Sequence, residues 1–598
     1  MRLFTLLMLA AAGLAAQSPI RYDVRFPAPH THYLEVTATV PVKGAEAELF
    51  MAVWTPGSYL VREYARFVED FHAVDAKGQE LQWEKTAKNR WRVRGLKGSR
   101  MEVRYKVYAR DQNVQGNWVD ASHAMLNGAP NFMTLVGGEK RPYQVQLHLA
   151  KGWTKSISGM KNGTEPNSWV AADFDELLDS PVYAGNAPIH EFDVSGRRHY
   201  LVNEGENGTW DGAASAAAVA KIVAEYARQW GGLPYEKYVF FNMMTEGGGG
   251  LEHKNSTWLG TSKWAWSNAN NVPGRPSQLS WLGLVSHEYF HVWNVKRLRP
   301  VELGPFEYEH EVRTPSLWVA EGFTSYYGSL GLVRAKLATR DNTLASYSGM
   351  IAQLQTTPGH AVTPIETASA DAWIGLYRPS ENSANTTISY YTKGAVMGLL
   401  LDARIRHLTN GEKTLDDAMK VAFERYGGAR GYTRDEFRAV CSEVAGADLS
   451  AWFHQAAETT AELDYTEMLD WYGLRFQVEK PRADAPRRIL TGITVAPVQP
   501  GRIVISSLRR GTPAYEAGFN VDDEILAVAG YRVRAEQWPA RLEAYPAGET
   551  VDVLVARREK LITLKLKITA DATPSWRLEV RPDANDEQKA HLKAWLRE

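Results

Sequence analysis

The sequence predicts a multidomain α+β protein, with an all-β part first, a mainly helical part in the middle, and a smaller part in which strands return. Three observations predict it. The chain has 598 residues, enough for three or four domains. Up to about Val194, apolar residues alternate with polar ones at the two-residue period of half-buried strands. From Trp210 the period becomes that of amphipathic helices, and from Leu474 to Ala570 the strand pattern returns. Apolar residues make up 44% and charged residues 23%, ordinary for a globular chain. The net charge of −1 gives no electrostatic reason to expect nucleic acid or an anionic membrane as partner.

Residues 1–16 open with one Arg, an apolar run from Leu3 to Leu14 and small residues at Ala15 and Ala16, the build of a secretory signal peptide. The run is too short for a membrane span, and no other stretch reaches spanning length, so no stable span is expected. Cys441 is the only cysteine, which rules out an internal disulfide, and it sits in a helical pattern as plain packing. Export without disulfides fits a bacterial periplasm.

Residues 17–200 read as the all-β domain: RYDVRFPAPHTHYLEVTATVPV, RWRVRGL, MEVRYKVYAR and YQVQLHLA alternate and are punctuated by Pro-Gly, Lys-Gly and Asn-Gly steps. One short helical pattern, Tyr59 to Phe71, follows the turn Thr55-Pro56-Gly57-Ser58. Residues 201–470 hold the helix AASAAAVAKIVAEYARQW, a buried strand at Tyr238 to Met244, and a succession of further helices. Residues 471–575 are strand-rich, and residues 576–598 end in a short helix, DEQKAHLKAWLRE. The 20 Trp and 27 Tyr fit either large packed β surfaces or aromatic-lined clefts.

The chemistry gathers around WLGLVSHEYFHVWNVKRLRP. On a helix, residues four apart lie on one face, so His287 and His291 can point at a single metal ion, with Glu288 beside them and able to reach a water. No Gly or Pro interrupts the helical pattern from Leu284 to Arg299. A catalytic zinc takes three protein ligands and keeps one position open. Glu321, in the apolar helical stretch SLWVAEGFTSYYGSLG, is the leading third ligand, because a carboxylate among such residues is costly unless paired or metal-bound. Glu302, Glu307, Glu309, His310 and Glu311 lie closer in sequence but in a polar stretch that reads as a solvated loop.

Upstream, Gly247 to Gly250 precede Leu251, Glu252 and His253. Gly250 is followed by Leu, so the run is not a phosphate loop. Glycines there let a substrate backbone approach an edge strand, with Gly249, Gly250 and Leu251 along it and Glu252 free to hold an α-ammonium group; a flexible loop is the other reading. His253 either lines the cleft or is exposed. Tyr391, at the start of a helix in Tyr-Thr-Lys-Gly, can donate to an oxyanion; Tyr390 is its rival.

Together HEYFHVWNVKRLRP, WVAEGFTSYY, GGLEHKNS, SYYTKGA and TPGSYLVREYARF resemble the glycyl aminopeptidase family of zinc metallopeptidases, in particular members with a C-terminal PDZ domain, and more distantly aminopeptidase N. The resemblance implies a thermolysin-like catalytic domain and one zinc per chain on His287, His291 and Glu321. It makes Glu288 the general base, Tyr391 the oxyanion donor and Glu252 the amine anchor, and it implies peptide substrates with a free N-terminal Gly or Ala. The strand departs from the G-x-M-E-N pattern of aminopeptidase N by reading Gly-Leu-Glu-His. GTPAYEAGFNVDDEILAVAG looks like part of a PDZ domain, a fold that binds peptide C-termini by strand addition. Leu490-Thr491-Gly492-Ile493 is the first candidate for its carboxylate loop and Tyr472-Gly473-Leu474 the second. The alternatives are a broader metallo-endopeptidase and a catalytically silent peptide-binding protein.

Overall fold

The computed structural model describes residues 17–245, 247–266, 277–478, 488–496, 501–538 and 540–598; the expected signal peptide lies outside them. The chain forms two compact units. The first takes the residues up to 56 together with 62–188 and 254–258, and the second takes 57–61, 189–253 and 259–598.

The first unit is all-β. Its largest sheet has seven strands, with Ile20–Arg25 parallel to Tyr143–His148 on one side and antiparallel to Tyr33–Pro41 on the other. Every second residue of Tyr33–Pro41 is buried, which places Leu34, Val36, Ala38 and Val40 in the core. Two four-stranded sheets complete the unit. Its buried tyrosines have satisfied hydroxyls: Tyr105 donates to the carbonyl of Asn131 at 2.7 Å.

The helix expected over Tyr59 to Phe71 does not form. A short 3-10 turn, Tyr64–Phe67, leads into a strand, Val68–Asp75, that pairs antiparallel with Arg100–Tyr108. Val68 and Phe71 are β-formers at a sheet edge, and pairing overrides the local helical spacing. Residues 57–61 belong to the second unit.

Residues 189–261 form a five-stranded sheet of β1 (Ile189–Val194), β2 (Arg197–Glu204), β3 (Lys237–Met244), β4 (Gly249–His253) and β5 (Ser256–Thr261). The spatial order is β1-β2-β3-β5-β4, so β4 is an edge strand. β2 and β3 run parallel and are joined by α1 (Gly212–Trp230). Asp211 caps α1 by accepting from the Ala214 N–H, and Gly231 ends it in the left-handed region at φ +77°. The units thus divide after Pro188, ahead of two strands that the sequence assigns partly to the first domain.

Among the helices that follow, three segments position the site: α2 (Gln278–Phe290), a π-helical turn Trp318–Gly322 running into α3 (Phe323–Arg334), and α4 (Tyr390–Leu408). Glycines set their close approach. A Cβ on Gly322 would lie 2.5 Å from the Cα of Gly394, so the π turn and the first turn of α4 meet backbone to backbone. The C-terminal helix, Asp586–Leu596, locks α3 from behind: Trp595 Nε1 donates to the hydroxyl of Tyr326, which donates to Asp402. Strands between Ile489 and Ile568 surround a core that includes Ile505, Phe519, Val528, Val553 and Leu566. No helix among the described residues is long and apolar enough to cross a membrane.

Candidate active site

α2 ends earlier than its sequence pattern suggests. Its last residue is Phe290, and His291 is the C-cap in right-handed conformation, so His291 still lies one turn beyond His287. The chain turns there because the carbonyl of Asn294 takes the Nδ1–H of His291 at 2.6 Å. The same Asn294 donates from Nδ2 to the carbonyls of Val319 and Ala320, at 2.9 and 3.1 Å, and to Thr324 Oγ1 at 3.2 Å. These carbonyls belong to the π turn that carries Glu321, a turn type common at functional sites. One buried asparagine therefore ties the second histidine to the glutamate-bearing turn. Asn294→Ala leaves those backbone groups without their donor, and we expect it to destabilise the protein by about 1–3 kcal/mol, read as a lower urea midpoint.

The three side chains converge. His287 Nε2 and His291 Nε2 are 3.2 Å apart, and Glu321 Oε2 is 3.2 Å from His291 Nε2 and 3.6 Å from His287 Nε2. Tetrahedral ligands on bonds of about 2.0–2.1 Å lie roughly 3.3 Å from one another, so the donor set fits a zinc-sized ion. Glu321 Oε1 is buried with no hydrogen-bond partner among the described residues. The other acids and the histidine proposed from the nearby polar stretch, Glu302, Glu307, Glu309, His310 and Glu311, are exposed or half-exposed and outside the cluster.

Two more carboxylates close on the pair. Glu252, Glu288 and His291 present ligand atoms that all lie within 4.8 Å of one another. Glu252 is 3% and Glu288 5% exposed, so the solvated-loop reading of Glu252 does not hold. β4 holds them in place: Gly250 and Glu252 share one face of the strand, and a Cβ on Gly250 would collide with the Glu288 carboxylate. Gly249 has φ +108°, a conformation that suits glycine. Leu251 and His253 alternate to the other face, and both are buried, so His253 is not exposed.

Burial and mutual repulsion shape the titration of these groups. Burial pushes the Glu288 carboxyl well above its usual range, His291 pulls it back, and Glu252 and Glu321 push it further up. Burial likewise raises Glu252. For His291, burial acts downward, but Glu321 and Glu252 outweigh it and lift the imidazole to about 9. Burial lowers His287, which favours the neutral imidazole. Three buried acids around two histidines form a site that demands cations.

Tyr391, in the first turn of α4, lies with its ring centroid 6.2 Å from that of His287. Tyr390 is fully buried and its ring stacks on that of Tyr391 at 4.8 Å. Burial, then Glu321, raise the Tyr391 phenol well above its ordinary value, so it keeps its proton.

Sequence reasoning missed three participants. Gly57, with φ +90°, sits against Glu252: a Cβ there would lie 2.5 and 2.7 Å from its carboxylate oxygens. Tyr59 is buried edge-on to Trp373 and Tyr377, with centroids 5.9 Å apart in each case. Tyr377 reaches both Gly57 and Tyr391. Only the TPGSY motif hinted at this, and it was read as a turn.

The far C-terminal loops are not part of this cluster. Of the first candidate loop, Leu490 N–H already donates to Thr569 and Ile493 N–H to Thr491 Oγ1, while Thr512 packs under Gly492. The second, Tyr472-Gly473-Leu474, is no binding loop: Tyr472 is buried and stacked on Trp595 at 4.7 Å, and Leu474 pairs with Val580.

Fold and cluster together are those of a peptide hydrolase, and comparison with known proteins agrees. Residues 21–186 match the Peptidase M61 N-terminal domain, and residues 280–397 match M61 glycyl aminopeptidase, so the chain carries Peptidase M61 domains. Its structure is similar to that of an aminopeptidase N family protein from Idiomarina loihiensis, with 29% identity and a TM-score of 0.90 over 96% of this chain and 100% of that one. An M1 zinc metallopeptidase from Deinococcus radiodurans is more remote, at 14% identity and TM-score 0.46 over 75% of this chain and 96% of that one. No curated protein matches the chain.

Proposed function

We propose that the protein is a zinc-dependent aminopeptidase that removes small N-terminal residues, Gly before Ala, from peptides. The observation that carries this reading is the set of three buried carboxylates converging on two histidines, with Oε1 of both Glu252 and Glu321 lacking a hydrogen-bond partner among the described residues. Two cations answer that demand: a metal ion at His287, His291 and Glu321, and a substrate ammonium at Glu252. The M61 match and the aminopeptidase N family name of the Idiomarina protein support the same activity.

Zinc held by those three ligands supplies Lewis acidity, lowering the pKa of water and polarising a carbonyl. Glu288 takes the proton of the attacking water and passes it to the leaving amine. Tyr391 donates to the oxyanion as charge develops there. Glu252 holds the α-ammonium and so sets the register one residue from the N-terminus. Gly57 and Gly250 lie so close to the carboxylates of Glu252 and Glu288 that a side chain at either position would displace them.

In the C-terminal region we read residues 471–575 as a PDZ domain that takes peptide C-termini. Its support is the core that includes Ile505 and Val553, the short helix Pro513–Glu516 and the strand Ile493–Val495, which pairs with Ile505–Leu508 as one edge of a two-stranded sheet.

A panel of anilides tests the activity. Free Gly-anilide is expected to be cleaved fastest, Ala-anilide next and Leu-anilide least, with every rate abolished by a chelator and N-acetylated substrates resistant. Equal cleavage of free and acetylated substrates would replace the aminopeptidase reading with an endopeptidase one.

A further inference from the structure

The hydroxyl of Tyr377 lies between two oxygens. It is 3.3 Å from the carbonyl oxygen of Gly57, to which it donates, and 3.3 Å from the hydroxyl of Tyr391. A phenol has one proton to give and lone pairs to receive with. While Tyr377 donates to Gly57, its oxygen is free to accept the Tyr391 proton, which is then engaged by Tyr377. When Tyr377 turns its proton to Tyr391, the Tyr391 proton is released, and the Tyr391 O–H becomes a stronger donor because it is itself hydrogen-bonded.

The surroundings hold this arrangement in place. The Tyr377 ring stands edge-on to Tyr59, at 80°, and Tyr59 stands edge-on to Trp373, at 82°. Gly57 packs closely on its own neighbours: a Cβ there would lie 2.5 Å from the Glu252 carboxylate and 2.7 Å from Leu251 Cδ1. The group read as the amine anchor and the group read as the oxyanion donor are thus joined through one carbonyl and one phenol: Glu252, Gly57, Tyr377, Tyr391.

We propose that Tyr377 is a positioning residue, which aims the hydroxyl of Tyr391 by exchanging its own proton between the carbonyl of Gly57 and the oxygen of Tyr391. The proposal rests on Tyr391 being the oxyanion donor. It gives the 57–61 segment a role in turnover as well as in shape.

A double-mutant cycle on the zinc-loaded full chain, with Gly-anilide as substrate, tests it. Tyr391→Phe is expected to lower kcat by about 10²-fold or more, as loss of an oxyanion donor does. Tyr377→Phe is expected to lower kcat by about tenfold with KM within about twofold, because its effect is felt only in the transition state. Adding Tyr377→Phe to Tyr391→Phe is expected to change kcat by less than about twofold. Tyr377→His, which keeps a ring and a donor, is expected to recover part of the loss, whereas a purely structural role predicts that His is worse than Phe. Equal, multiplying losses in the two backgrounds, a Tyr377→Phe kcat equal to wild type, or an effect on KM alone would overturn the proposal while leaving Tyr391 as donor. A Tyr391→Phe enzyme with wild-type kcat would instead remove the oxyanion assignment, and this proposal with it.

Discussion

Glu288→Gln is expected to lower kcat by about 10²–10⁴-fold, the range for loss of a positioned general base. Zinc content and KM should stay close to wild type. The amide is isosteric, so it keeps the packing of residue 288 against Gly250, and it removes one of three mutually repelling buried charges. The substitution therefore should not loosen the fold, which separates a chemical loss from a structural one. Burial, with help from Glu252 and Glu321, raises the carboxyl of Glu288 in the metal-free chain. A base must be ionised to act, so activity should rise with pH as Glu288 loses its proton, and bound zinc, a neighbouring cation, acts to bring that rise to lower pH. Steady-state kinetics on Gly-anilide, with metal analysis of the same sample, checks the prediction. A variant with near-native turnover would remove Glu288 from the base role.

Glu321→Ala should have the larger effect on metal. It takes away one of three donors, so the fall in zinc affinity should exceed the roughly 10–100-fold typical of losing an outer-shell partner, and turnover should drop to background. It also removes the main charge that lifts His291 to about 9. In the unaltered protein a proton on His291 competes with the metal, so zinc uptake by chelator-stripped protein should tighten as pH rises toward about 9. In Glu321→Ala that dependence should move to lower pH, because the imidazole loses its proton sooner. Zinc titration with a competing chromophoric chelator, over a pH series, reads both effects. An unchanged zinc affinity in the variant would place the third donor elsewhere.

The parts of this site that were legible in the sequence share one property: a local rule suffices to place them. Four-residue spacing on a helix puts His287 and His291 on one face whatever the rest of the chain does. Glu321 stood out because a charge inside so apolar a stretch needs a partner. Glu252 and Tyr391 were legible through their motifs, and the alternation of the first unit showed its sheets.

What was not legible depends on contacts distant in sequence. Nothing in the pattern around Asn294 marks its side chain as the tie to the carbonyls of Val319 and Ala320 in the π turn. Residues 59–71 carry a helical spacing that pairing with Arg100–Tyr108 overrides. The approach of Gly57 to Glu252 joins residues nearly two hundred positions apart. Tyr377 lies in a polar segment with no periodic pattern, and its meaning appears only once Gly57 and Tyr391 are both beside it.

The central claim is that His287, His291 and Glu321 grip one divalent ion. Anomalous X-ray scattering at the zinc edge, from crystals of protein purified without chelator, tests it directly. The account predicts a single strong peak per chain within about 2.0–2.2 Å of an Nε2 of each histidine and of a Glu321 carboxylate oxygen. A peak elsewhere, or no peak in a sample that still cleaves Gly-anilide in the presence of chelator, would contradict it.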